Sequence, residues 1–132
     1  MAEHPNVPLL RRGLEAIATG DMAVLDKLFG DEVKLHQCGS HPLSGHFDGK
    51  QAVFAHWAAL GQVTAGNMRI EVHDVVGGDD HVVALVNFAA GRPDGRTYDD
   101  LTVIVAHVRG GKFTELWGIE YDQAAQNTFF SD

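Results

Sequence analysis

The second half of the chain is cut by three turn signals into long strands that are apolar on both faces. The signals are Gly77-Gly78-Asp79-Asp80, Pro93-Asp94-Gly95 and Gly110-Gly111. Gly and Asp accept the backbone of tight turns, and Pro pre-sets a turn's first central residue. They delimit four strands, near residues 67–76, 81–91, 96–108 and 112–121. In the second, Val82, Ala84, Val86 and Phe88 face one way, and Val83, Leu85 and Ala89 the other. In the third, Thr102, Ile104, Ala106 and Val108 oppose Leu101, Val103 and Val105. A sheet with one wet face alternates apolar with polar residues. These centres do not, so one face must meet helices and the other needs a second cover. In a chain of 132 residues, the expected cover is another copy of itself, which predicts a homodimer.

The first half reads mainly as helix. Val7, Leu10, Leu14 and Ile17 recur at helical spacing, with Asn6 as the expected cap, Pro8 in the first turn and Gly20 at the end. Asp21 suits the cap of a second, short helix carrying Met22, Leu25, Leu28 and Phe29. Val33 to Cys38 reads as a fifth strand, placed first in the chain. The loop Gly39-Ser40-His41-Pro42-Leu43-Ser44-Gly45 follows it. A third helix runs from about Lys50 to Leu60, burying Val53, Phe54, Trp57 and Leu60, with Gly61 at its end, and a short helix follows Asp122. The expected architecture is one α+β domain over residues 1–132. Three N-terminal helices close one end of a cone-shaped, curved, mainly antiparallel sheet, with a pocket between helices and sheet.

Composition removes several classes. Ten Lys and Arg against 18 Asp and Glu leave a formal charge of −8, which argues against nucleic acid and anionic membrane surfaces. No apolar run reaches the roughly 20 residues of a membrane span, and Met-Ala-Glu-His-Pro does not begin like a leader peptide. The lone cysteine, Cys38, excludes an internal disulfide and fits a cytoplasmic protein. It is expected as a buried small hydrophobe rather than half of a Cys–His nucleophile. No Gly-rich phosphate loop follows a strand, so no cofactor is expected. His36, His41 and His46 recur at intervals of five, which is no ligand motif, so no metal is expected.

Gly20-Asp21, Leu28-Phe29, the segment Gly39 to Gly45 before Gly49, and Gly110-Gly111-Lys112-Phe113 followed by Glu115-Leu116-Trp117 together resemble one superfamily. It is the SnoaL-like, ketosteroid-isomerase-like cone fold shared with nuclear transport factor two. The resemblance implies the cone fold over nearly the whole chain. It leaves function open among isomerases, polyketide cyclases, dehydratases, epoxide hydrolases and non-catalytic binding domains. The isomerase's aspartate base, three residues before the loop's Gly-Ser, corresponds here to His36. That exchange would move the reference pKa from about 4 to about 6.5. The isomerase's tyrosine corresponds to Gly13 and its protonated aspartate to Ile104, so neither member of that oxyanion hole, a pair used as a standard example of pKa tuning, carries over. Many SnoaL-like cyclases place an acid directly after the last strand's Trp, where Gly118 stands here.

The sequence therefore predicts acid–base chemistry on a small, largely apolar organic ligand. His36 would move the proton and Asp100 would orient it. Period-two alternation puts Thr102 and Ile104 on one strand, and Leu116, Gly118 and Glu120 on the next, along the same inward face. A buried Glu120 would have a raised pKa. Leu14, Phe54 and Trp57 would complete the apolar wall. Trp117 is expected on the other face, in the dimer interface, with His81 in solvent. The competing reading is a binding or dimerisation domain of the same fold.

Overall fold

The computed structural model describes residues 3–132. Met1 and Ala2, on which the leader-peptide reading partly rests, lie outside the described residues. The elements run α1 (Asn6–Thr19), α2 (Met22–Leu28), β1 (Phe29–Gln37), β2 (Gly45–Asp48), α3 (Lys50–Val63), β3 (Met68–Gly77), β4 (His81–Gly91), β5 (Thr97–Arg109), β6 (Lys112–Glu120) and α4 (Gln123–Phe130). The six strands form one sheet in the order β2-β1-β6-β5-β4-β3. Only β1 and β6 run parallel; all other neighbours are antiparallel. The fold is α+β, with a single curved, open sheet.

Three boundaries differ from expectation. The loop after β1 turns back into a sixth strand, β2, which pairs His46 with His36 and Phe47 with Leu35. Strand β1 starts at Phe29, directly after α2, because Phe29 is wholly buried and pairs with Phe113 of β6. Helix α3 runs through Gly61 to Val63. There Thr64 ends it, with its hydroxyl donating to the Leu60 carbonyl at 2.9 Å.

The caps are partly as expected. Asp21 accepts from Val24 N at 3.2 Å and Asp122 accepts from Ala125 N at 3.0 Å. Gly20 ends α1 with φ of 71°, a left-handed turn that favours glycine. Asn6, however, is the first helical residue, not the cap. Its side-chain amide donates to the carbonyls of Gly78 and Asp79 at 3.0 and 3.1 Å. It thereby ties the start of α1 to the turn between β3 and β4.

The two faces of the sheet differ as the alternation requires. On the inner face, Val82, Ala84, Val86, Ala106, Phe113 and Leu116 are buried against Val7, Leu10 and Leu14 of α1. On the outer face, Val83, Leu85, Val103 and Val105 stay half-buried, while Leu101 and Ile119 are 38% and 43% exposed. Register shifts at Val72/Asp74 and His107/Val108 add the local twist that curves the sheet over the helices.

Phe29 and Phe113 meet at 5.0 Å between ring centres, in the seam where β1 joins β6. Truncating Phe113 to Ala should cost about 3–5 kcal/mol. Urea unfolding should show this as a lower midpoint with an unchanged m value.

Candidate active site

The inner face of the sheet carries the expected row of side chains because β5 and β6 pair with Thr102 opposite Glu120 and Ile104 opposite Gly118. Above it, α1, α3 and α4 leave a cavity of about 100 Å³. Leu14, Trp57, Thr102, Ile104, Leu116, Gly118 and Glu120 all line it. Phe54 does not. It stacks on Trp57 at 5.8 Å and meets Phe29 edge-on at 6.2 Å, so it holds the Trp57 ring from behind. Gly13 and Ile104 both line the cavity and bring neither a hydroxyl nor a carboxyl.

Glu120 is the acid of this cavity. Its Oε2 lies 2.6 Å from the Thr102 hydroxyl and 3.1 Å from the Tyr98 hydroxyl. Gln37 Nε2 donates to its Oε1 at 3.4 Å. Burial raises its pKa, the nearby Asp100 charge adds to the rise, and the three hydrogen bonds only offset part of it. None of the lining residues is Lys or Arg, so no cation holds the carboxylate ionised. The volume that Gly118 leaves is taken by Gln37, whose Oε1 would lie 2.8 Å from a Cβ at that position.

Two histidines also line the cavity, and sequence reasoning gave neither a role there. His56 of α3 is only 7% exposed, and its Nδ1 has no hydrogen-bond partner among the described residues. Burial, with a smaller contribution from His41, lowers its pKa to about 4, so it is neutral at pH 7. His41 accepts from Leu43 N through Nδ1 at 3.1 Å, which puts its proton on Nε2, 3.0 Å from Gln126 Oε1. Burial lowers its pKa as well, against the opposing hydrogen bond to Gln126. The ring stacks on Phe130 of α4 at 5.1 Å, joining the loop after β1 to the last helix.

His36 is not in the cavity. The parallel pairing sets His36 opposite Trp117, while Leu35 and Gln37 take the inner face opposite Leu116 and Gly118. On the outer face its ring stacks on Trp117 at 5.2 Å. Its Nε2 meets Glu115 Oε2 at 2.5 Å and its Nδ1 meets His46 Nδ1 at 2.6 Å. His107 lies edge-on to Trp117 from the other side, at 4.8 Å. The expected pairing of His36 with Asp100 is therefore absent. Asp100 sits at the rim, with Oδ2 3.0 Å from Tyr98 Oη and accepting Asp122 N–H at 2.7 Å. Cys38 is exposed rather than buried, His81 is exposed as expected, and Trp117 lies on the outer face with His36. Among the described residues, no three His, Cys, Asp or Glu side chains group as a metal site, and no helix is long and apolar enough to cross a membrane.

A curved open sheet with helices packed over its inner face and an apolar cavity between them is also the fold of solved proteins described as nuclear transport factor two-like. One solved protein of that name, from Burkholderia xenovorans, superposes with a TM-score of 0.83 at 20% identity over 99% of both chains, a likeness of fold alone. The sequence matches the SnoaL-like domain family over residues 10–116, and the chain belongs to that family. It is 31% identical to the uncharacterized protein Rv0034 of Mycobacterium tuberculosis, covering 99% of this chain and all of that one. It also resembles Bal32a, from a soil-derived mobile gene cassette. That structure superposes with a TM-score of 0.90 at 28% identity, over 95% of each chain.

The burial of His56 has a pH signature. A histidine whose folded pKa is depressed binds fewer protons in the folded state. Its neutral form adds stability above the unfolded value of 6.5, and that stability is lost as pH falls towards about 4. The full effect is about 3 kcal/mol. Between pH 7 and pH 4, the unfolding free energy of wild type should fall by that amount relative to His56→Leu. Parallel urea titrations of the two proteins measure it.

Proposed function

We propose that this chain is an acid–base enzyme acting on a small, uncharged, largely apolar organic molecule, with Glu120 as its proton carrier. The observation that carries the reading is a carboxyl of raised pKa in a largely apolar cavity, hydrogen-bonded to Thr102, Tyr98 and Gln37. A carboxyl whose pKa is raised by burial can take a proton in one step and return it in the next. Ionised Glu120 removes a proton from a carbon beside a carbonyl and then, as the neutral acid, delivers it to a second carbon or to oxygen. His56 supplies a neutral imidazole that can hydrogen-bond the carbonyl oxygen as charge develops there. The lack of a lining cation favours neutral ligands over carboxylates or phosphates. The chemistry calls for no cofactor, since proton transfer needs only these side chains.

A second reading is a binding domain of the same fold. Gly13 and Ile104, which leave the cavity without the isomerase's pair of donors, favour it.

A panel of uncharged cyclic ketones and enones, incubated with the protein in deuterium oxide, separates the two. Mass spectrometry should find carbon-bound deuterium with wild type, at a rate that rises with pH as Glu120 ionises. Glu120→Gln should slow exchange about 10²–10⁴-fold, and His36→Ala should leave it at the wild-type rate. An undiminished rate in Glu120→Gln sinks the enzymatic reading. Ligand binding without exchange supports the binding domain.

We also propose that a second copy covers the outer face, because Leu85, Val103, Val105 and Ile119 form an apolar strip there that the chain's own helices do not reach. Val103→Lys should then sediment as a monomer where wild type sediments as a dimer. A wild-type monomer would refute the proposal.

A further inference from the structure

The Tyr98 hydroxyl stands between two carboxyl groups. Its Oη lies 3.0 Å from Asp100 Oδ2 and 3.1 Å from Glu120 Oε2. A phenol has one proton to donate and an oxygen that can accept, so when Glu120 is protonated Tyr98 can accept from it while donating to Asp100. Thr102 can donate to Glu120 Oε2 at 2.6 Å, and the Asp122 backbone N–H donates to Asp100 Oδ2 at 2.7 Å. Tyr98 is only 5% exposed, and Asp100 and Glu120 are both half-buried, with the exposed contact of the set at the Asp100–Asp122 N–H bond.

The geometry points to a proton relay in which Tyr98 and Asp100 connect Glu120, in the cavity, to solvent. This inference rests on the reading of Glu120 as the proton carrier and adds the route by which it is reset. In one step, Glu120 Oε2–H passes its proton to Tyr98 Oη, and the Tyr98 hydroxyl proton passes to Asp100 Oδ2. Glu120 ends as carboxylate, Asp100 as neutral acid, and Tyr98 is a neutral phenol before and after. Water at the rim then takes the proton from Asp100, and the reverse sequence reloads Glu120. Tyr98 is not itself a base, because burial and the two carboxyl groups push its ionisation far above the usual range for a phenol. The groups facing Glu120 are Gln37 from β1 and Tyr98, Asp100 and Thr102 from β5. Gln37 and Thr102 lead to no further acid, so Asp100 is the exit. An occupied cavity would shut Glu120 off from water on its inner side, which is when a separate path to solvent matters.

The test needs no substrate. In protein carrying ¹³C at its Glu and Asp carboxyl carbons, relaxation dispersion at the midpoint of the Glu120 titration gives its rate of proton exchange. Tyr98→Phe keeps the ring's volume and removes the bridging hydroxyl; Asp100→Asn keeps the hydroxyl's acceptor and removes the exit. Each should slow exchange at Glu120 at least about tenfold, and imidazole buffer, small enough to carry protons itself, should bring the rate back. A merely structural role would shift the midpoint without making the rate depend on buffer. An unchanged rate in either variant, or a slowed rate indifferent to imidazole, overturns the relay. The turnover of Glu120→Gln decides the underlying reading separately, so the two can fail independently.

Discussion

The parallel pairing of β1 with β6 is the constraint on which the rest of this structure depends. Parallel neighbours cannot be joined by a short hairpin. Here the whole of β2, α3, β3, β4 and β5 lies between them, and closing so long a loop costs entropy before any contact forms. The seam offsets that cost by burying Phe29 against Phe113 and Leu35 beside Leu116. Its register then decides the chemistry of both faces. Leu35 and Gln37 go inward beside Leu116 and Gly118, and His36 goes outward beside Trp117.

The cavity follows from that seam and from the pairing of Thr102 with Glu120 across β5 and β6. One cause, the removal of water, shifts its titratable groups in opposite directions. It raises the Glu120 carboxyl and lowers the His41 and His56 imidazoles, so each is pressed towards its neutral form. The result is a small set of hydrogen-bonding groups inside an apolar shell, each displaced towards its neutral form. The outer face has the reverse character. His36, Glu115 and His46 form a chain of side-chain contacts near water, with two His rings packed on Trp117.

Much of the cavity wall was legible because a strand's alternation is local. Once the turns at Pro93-Asp94-Gly95 and Gly110-Gly111 are placed, Thr102, Ile104, Leu116, Gly118 and Glu120 must share a face. The misplacement of His36 had a contrary signal beside it. Val33 and Leu35 are the apolar members of β1 and Lys34 and His36 the polar ones, so the strand's own pattern puts His36 outside. Position within the family outweighed that pattern in the sequence reading. His56 was within reach too, three residues after Val53 on the buried side of α3. A histidine there looks like surface until the helix is known to roll it against Phe47, 4.5 Å away between ring centres. Nothing local announced Gln37 filling the space above Gly118, or His41 reaching Gln126 of α4.

The sequence by itself determined the element types apart from β2, the main turns, the two apolar faces and the inward row ending at Glu120. Each depends on residues within one strand, helix or turn, where spacing translates directly into direction. Only the tertiary structure decided that Gln37 fills the space above Gly118, that Tyr98 bridges Asp100 to Glu120, and that His56 is buried without a partner for its Nδ1 among the described residues. Those outcomes depend on register between strands distant in the chain and on how far each group is taken from water. Both are properties of the packed whole.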